Sequence, residues 1–475
     1  MSSESRTSRA SRGGNLIFLG ISQLFRLGSG LMINVMVMRA LGVEEFGVYG
    51  YVVALVGLAT FGANLGMDRL IKRDIAQAPE RADRLVSAGL AATALLSVAT
   101  GAGIVAVAAL VDGRPMILSA AALGAVALGL RSLATVPEAA AHAERRMGLS
   151  ARGHVAGRIV LVVITAALLW LRFGVIAVFI AQVLDAVVTL VITWVMYRRH
   201  LSQAPLRTAW PEVRDLVRES TPFGLNLLFG SVYLTSDVLL LAWLRDDTEV
   251  GIYRGAVMLI TLFPIIANTL TTGLFPRLAR CVGQPEKAGE ELRFAARVLL
   301  AISVPAAVGG VLLAEPLMVF IGGAPFSVSA APFVVMAPLL PLRFLNNSYA
   351  TTLSALNRQG DRTRGVFGAA ILNLVANLIA IPAYGAVGAA ATTLLTEIFL
   401  TLWLRWRVQP LITDLGLWST LLRVGLPAAA MAAALLVSPS LHVLLTVLMG
   451  ALVYGALGLV SGAWHPSDLR RLRSI

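Results

Sequence analysis

An all-α protein that crosses a membrane many times is encoded here, and three observations carry that reading. Hydrophobic residues make up 57% of the 475 positions and charged residues only 14%, against roughly 25% in an ordinary soluble domain. Mean hydropathy is +0.79. The apolar residues gather in runs of about 20, the length a helix needs to cross a hydrocarbon core of ~30 Å. These runs are continuous and rich in Ala and Leu rather than short and alternating, so they read as helices and not as barrel strands.

Fourteen spans are expected, near 14–38, 46–67, 85–110, 116–140, 155–171, 174–196, 221–243, 252–275, 294–313, 331–355, 365–382, 385–404, 418–437 and 441–461. The first follows a polar, arginine-bearing tail, 1–13. It is too long for a signal-peptide core and reads as an uncleaved span. The turn after it, "VMRALGVEEFGVYGYVV" at 37–53, places Arg39, Glu44 and Glu45 between two apolar runs, because the bilayer core rejects charge. Gly42 and Gly47 permit a tight reversal, and Tyr49 and Tyr51 suit the headgroup level. Spans eleven and twelve are separated only by "PAYG". In the tenth, Pro338 and Pro341 should interrupt regular backbone bonding.

Basic residues fix the expected orientation. One set of segments holds the N-terminal arginines, "DRLIKRDIAQAPERADR", "AERRMGLSARGH", "YRRHLSQAPLRTAWPEVRDLVRES", "PRLARCVGQPEK", "NRQGDRTRG", "RWRVQ" and "DLRRLRSI". The other holds only Arg39, Arg114, Arg172, Arg245 and Arg254. By the positive-inside rule both termini are expected in the cytoplasm, in the cytoplasmic (inner) membrane. The net charge of +13 is then a matter of topology and of attraction to anionic lipid. It is scattered over short loops, which argues against a nucleic-acid partner. The lone Cys281 and five widely spaced histidines give no disulfide, no metal cluster and no metal-binding motif. Nothing resembles a phosphate-cradling glycine loop or a hydrolase triad, so neither ATP drive nor a cofactor is expected.

An internal repeat is visible. "FGVYGYVVAL" at 46–55 lies over "VGIYRGAVML" at 250–259, each after a charged turn and each opening an even-numbered span. This implies two parallel six-helix lobes, 14–200 and 221–405, joined by a cytoplasmic linker at 201–220. Two additional helices and a cytoplasmic tail occupy 406–475.

The stretches "RALGVEEFGVYGY", "GANLGMDRLIKRDIA", "TSDVLLLAWLRDDTEVGIYRGA", "LFPRLAR" and "LNLVANLIAIPAYGAVGAAATTLLTE" resemble, in order and spacing over most of 15–405, the prokaryotic polysaccharide flippases of the multidrug/oligosaccharidyl-lipid/polysaccharide exporter superfamily. That resemblance implies a non-enzymatic transporter whose two six-helix lobes surround a central cavity, with two extra helices. It would move an undecaprenyl-diphosphate-linked oligosaccharide from the inner to the outer leaflet by alternating access, alongside other polysaccharide assembly proteins. Relatives often carry a basic residue near Met258; this chain has Arg254 closer to the outer end. A peptidoglycan-precursor flippase and a drug/cation antiporter belong to the same superfamily and remain alternatives. A membrane-embedded polymerase or ligase is the alternative of another class. It should show acids and bases in a large outer loop, and "AEPLMVFIGGAPFSVSA" has one carboxylate and no base.

Charges inside spans mark candidate sites, since each costs roughly 2.5–3.5 kcal/mol at a helix centre on insertion scales. Arg26, Arg131 and Arg343, with Asn346 and Asn347 beside the last, could hold a pyrophosphate, because guanidinium forks match phosphate oxygens. Each could equally be the partner of a carboxylate or a backbone carbonyl. Asn226, Gly230, Tyr233 and Asp237 form one polar stripe at helical spacing, with Tyr233 suited to sugar hydroxyls. Asp237, Glu397 and Asp185 could couple transport to a proton or sodium ion, or could neutralise the arginines. Asn373 with Asn377, and Asn268 with Thr272, would join helices or line the cavity.

Overall fold

The computed structural model describes the backbone except at residues 1–2, 145, 413–415, 438–441, 465–467, 469–470 and 472–475; it describes side chains except at these and at 3–24, 26–27, 147, 149, 226 and 417. Among the described residues there are helices and no strands. The chain divides into two compact units, Met1–Leu239 and Leu240–Ile475.

The first unit contains α1 (Ser3–Asn64), α2 (Met67–Gln77), α3 (Ala82–Val111), α4 (Pro115–Ala143), α5 (Met147–Trp170), α6 (Gly174–His200) and most of α7 (Trp210–Leu244). The second contains α8 (Asp247–Ile260), α9 (Pro264–Ala279), α10 (Pro285–Leu312), α11 (Ala314–Gly322), α12 (Ala330–Met336), α13 (Leu339–Ala355), α14 (Gln359–Val408), α15 (Leu417–Val437) and α16 (Val443–Ser461).

Among the described residues, ten helices are long and apolar enough to cross a membrane, or up to twelve when two bent pairs each count as one span. Two pairs of the fourteen expected spans follow one another directly, each pair broken by a non-helical glycine. The 62-residue α1 joins 14–38 to 46–67 through a kink at Gly42 (φ 73°, ψ −173°), and the 50-residue α14 joins 365–382 to 385–404 through one at Gly385 (φ 53°, ψ −132°). At ~1.5 Å per residue either helix far exceeds a bilayer's ~30 Å. The bent pairs are α8 with α9, at 40°, and the 324–336 segment with α13, at 47°. The second bend falls at Ala337–Pro338, where the proline pattern places it.

Tyr49 and Tyr51 are buried within the protein; Tyr49 packs on Phe179 of α6 with ring centroids 5.8 Å apart. One local expectation is corrected. The segment "MDRLIKRDIAQ", read above as a basic loop, is the amphipathic helix α2. Its Met67, Leu70, Ile71 and Ile75 pack against Val86 and Ala92 of α3, Val136 of α4 and Tyr197 of α6. Spacing of three and four residues puts these four on one face.

In the second unit, Ala267, Leu270, Leu274 and Leu278 of α9 pack on Phe294 and Val298 of α10 and Phe344 of α13. The last two helices dock on α10, where Ala301 meets a cluster of Val424, Ala428, Met431, Leu435 and Tyr454. The exterior stays apolar: Leu110, Trp170 and Val460 are each more than four-fifths exposed, as a lipid-facing surface requires.

Candidate functional site

In the first unit the sequence-flagged arginine and acid meet. An Arg131 Nη atom on α4 donates to the Asp185 carboxylate on α6. The Asp185 side chain is 6% exposed and Arg131 39%. The carboxylate is therefore held inside while the guanidinium keeps an open side. Behind Asp185, α5 approaches α6 closely. A Cβ on Gly157 would stand 2.3 Å from both Asp185 Oδ1 and Thr189 Oγ1, and one on Gly153 would meet Thr193 Oγ1 at 2.8 Å. Small residues four apart let two membrane helices touch through their backbones. One turn beyond Arg131, the Thr135 hydroxyl accepts from Asn64 Nδ2 of α1 at 3.3 Å, and the same amide reaches Asp68 Oδ1 at 3.2 Å.

The second unit repeats the arrangement. Arg343 Nε of α13 donates to Glu397 Oε1 of α14 at 2.9 Å, and Asn346 Nδ2 donates to Glu397 Oε2 at 2.8 Å. Glu397 is 5% exposed and Arg343 29%. Both ion pairs span 54 positions of sequence. A buried carboxylate needs such partners, since an unpaired one would pay several kcal/mol of desolvation. Tyr253 of α8 adds a hydroxyl contact to Thr393, one turn before Glu397, at 3.2 Å.

A carboxylate sits at a glycine-marked turn in each unit, and in the second it caps a helix. Glu249 Oε2 accepts from Ala386 N at 2.6 Å, capping the second arm of α14 beside the left-handed Gly385. Arg245 donates to the carbonyls of Ile381 (3.1 Å) and Pro382 (2.6 Å), which end the first arm. In the first unit, Glu45 Oε2 lies 3.3 Å from where a Cβ on Gly174 (φ 62°) would stand, at the start of α6, but among the described residues it accepts no hydrogen bond. A carboxylate at a helix N-terminus is stabilised by the unsatisfied N–H groups there. Glu45 and Glu249 are the residues just before the two stretches matched in the repeat.

The remaining candidates are distributed as follows. The side chains of Arg26 and Asn226 lie outside the described residues. On α7, Asp237 is buried and Tyr233 half-buried. Asn347 points away from its neighbour Asn346: it accepts from Thr271 Oγ1 at 2.7 Å and donates to Asn268 Oδ1, joining α13 to α9. Asn377 donates to Asn373 Oδ1 at 3.0 Å and accepts from Thr392, which ties the two arms of α14 together. Sequence reasoning missed Tyr253, Gly153 and Gly157. The last two carry a readable signal, "GHVAG", a small-residue pair at four-residue spacing.

A family model described as "Polysaccharide biosynthesis protein" matches residues 13–282, more than half of the chain. The chain belongs to the polysaccharide biosynthesis protein family. A second model, MatE, matches residues 222–382 of this family member. Two proteins of Haloferax volcanii are similar to it. The probable low-salt glycan biosynthesis flippase Agl15 is 22% identical over 382 residues, covering 80% of each chain. The probable flippase AglR is 27% identical over 235 residues, covering 47% of this chain and 49% of AglR. Both are named as flippases, transporters rather than enzymes. Among solved structures, the lipid II flippase MurJ in an inward closed conformation matches at a TM-score of 0.78 and 14% identity, over 94% of this chain and 98% of MurJ. An inward-facing multidrug resistance transporter of the MATE family, in the MOP superfamily, matches at 0.63 and 16% identity, over 84% and 98%. At such identities the likeness is one of fold. The resemblance to polysaccharide flippases of this superfamily, expected from the sequence, holds.

Proposed function

We propose that this protein is a flippase that carries an undecaprenyl-diphosphate-linked oligosaccharide from the cytoplasmic to the outer leaflet for cell-surface polysaccharide synthesis. Both termini would lie in the cytoplasm. The observation that carries the reading is the pair of membrane-helix arginines, Arg131 and Arg343, each anchored on one side by a buried carboxylate and accessible on the other. A guanidinium offers five N–H donors, and Arg131, with 39% of its side chain exposed beside Asp185, can turn further donors to phosphate oxygens. Arg26 belongs to the same proposed anion-binding set, Asn346 supports Arg343, and Asn347 and Tyr233 would meet sugar hydroxyls. The similarity to Agl15, named a glycan biosynthesis flippase, supports a glycan substrate.

Transport would proceed by alternating access, exposing the binding residues first to one side of the membrane and then to the other. The lipid tail stays in the bilayer while the polar head crosses. Glu397, Asp185 and Asp237 are the proposed coupling groups: a proton or sodium ion on the carboxylate would loosen its hold on the arginine and change the charge presented to the substrate. The decisive experiment is reconstitution in liposomes with a fluorescent lipid-linked oligosaccharide, following access of a lectin or an oxidant to the outer leaflet. Leaflet exchange indistinguishable from protein-free liposomes would overturn the proposal.

A further inference from the structure

The contact that turns Asn347 away from the Arg343–Glu397 pair opens onto a polar cavity of about 470 Å³ in the second unit. Asn268, Thr272 and Phe275 of α9, Asn347 and Thr351 of α13, and Arg362 of α14 line it. Its volume lies within the ~300–1,000 Å³ usual for small-molecule sites. We propose that this cavity is the subsite for the phosphate-proximal sugar of the lipid-linked glycan, with Arg362 receiving the adjoining phosphate. The inference rests on the flippase reading above and names the part of its substrate that binds here.

The hydrogen-bond inventory gives the cavity its selectivity. Asn347 Oδ1 is engaged by Thr271, and Asn268 Oδ1 by Asn347 Nδ2. The Thr272 hydroxyl proton goes to the Asn268 carbonyl at 2.7 Å. Both amide oxygens are thereby used, while the Asn268 NH₂ group and one N–H of Asn347 remain for a ligand. Arg362 makes only a long contact, 3.4 Å, to Ser354 Oγ. The open valences are therefore mostly donors. Among the described residues no carboxylate lines the cavity, so phosphate oxygens meet no like charge from them. Phe275 is 41% exposed and presents an apolar ring to the C–H face of a pyranose. A donor-rich hollow of this kind cannot face lipid tails, where each unpaired polar group costs several kcal/mol; water or a polar ligand must fill it. α9 runs from this cavity directly into "PRLARCVGQPEK", and Arg362 lies in "NRQGDRTRG". On the proposed topology both segments are cytoplasmic, the side on which the glycan is assembled.

The test uses the full-length protein in nanodiscs and two soluble probes, geranyl diphosphate and geranyl diphosphoryl glucose, titrated by calorimetry. Wild type should bind the glucose-bearing probe about tenfold more tightly. Asn268→Leu should bring the ratio of the two affinities close to one. Asn268→Asp keeps the oxygen that accepts from Asn347 but replaces the open donors, and it should do the same. Since both probes carry one diphosphate, the ratio cancels a general charge effect. Arg362→Gln should weaken both probes about tenfold and leave the ratio unchanged. If wild type binds both probes equally, or either Asn268 variant folds normally and keeps the wild-type ratio, the sugar subsite is wrong while the lipid-diphosphate reading stands. If wild type binds neither probe at millimolar concentration, the flippase reading and the subsite fall together.

Discussion

Arg343 and Glu397 lie 2.9 Å apart across 54 residues of sequence, and Arg131 pairs with Asp185 across the same separation. An intramembrane arginine and an intramembrane acid thus share one solution in each unit: each charge makes the other tolerable in a low dielectric. In both pairs the acid is the more deeply buried member, so losing the arginine is the more damaging change.

Arg343→Leu should leave Glu397 without its charged partner and lower stability by about 3 kcal/mol. Thermal unfolding in detergent should show a clear fall in midpoint. The double variant Arg343→Leu with Glu397→Leu should recover much of it, because the stranded buried charge is gone. A double variant no more stable than the single one would show that the pair is not the source of the loss.

Gly157→Ala puts a methyl group where Asp185 and Thr189 already stand, and the Asp185 backbone oxygen is within 2.9 Å as well. The helices α5 and α6 must separate, at a cost of about 1–3 kcal/mol. Gly103→Ala, on α3 with open space around its Cβ, should be neutral or gain up to ~1 kcal/mol from helix propensity. Comparing the two unfolding midpoints separates close packing from a general glycine effect.

Gly385→Ala combines a left-handed backbone (φ 53°) with a Cβ only 2.5 Å from the Glu249 carboxylate, so it should cost about 1–3 kcal/mol. Glu249→Gln keeps an acceptor for Ala386 N and should cost less, whereas Glu249→Ala removes the cap and should cost about 1 kcal/mol. The order Gly385→Ala, Glu249→Ala, Glu249→Gln in falling severity is the expected result of chemical denaturation. Equal effects would mean that the glycine conformation and the cap are not separate contributions.

Cysteine or reporter insertions give the topology directly. Sites at Asp112, Asp246 and Gly323 should read as outside, and those at Arg146, Gln284 and Gln359 as cytoplasmic, following the asymmetry of Lys and Arg. Reversal at several of these sites would sink the orientation.

Glu397→Gln and Asp237→Asn test ion coupling. If the carboxylates bind the coupling proton or sodium ion, each variant should flatten the dependence of lipid exchange on pH or on sodium. Exchange with the wild-type pH and sodium profile in both variants rules out coupling through these two residues and leaves the membrane potential or the substrate gradient as the drive.

The sequence by itself determined the all-α membrane-spanning class, the glycine and proline breaks and the identity of the intramembrane charges. All of these follow from linear quantities: run length, the cost of charge in hydrocarbon, and the fixed torsions of proline and glycine. The turn at Gly42, the break at Pro338 and the acids at 185 and 397 were all legible for that reason. Only the tertiary structure decided that Arg131 belongs to Asp185 and Arg343 to Glu397, that Asn347 turns toward Asn268 while Asn346 turns toward Glu397, that Tyr49 is buried, and that "MDRLIKRDIAQ" docks as a helix. A span in a bilayer is apolar on its lipid face and on its packed face alike, so periodicity no longer marks which side meets a neighbour. Partner choice then rests on helix approach, on a glycine such as Gly157 that lets one backbone reach another, and these are properties of two helices at once.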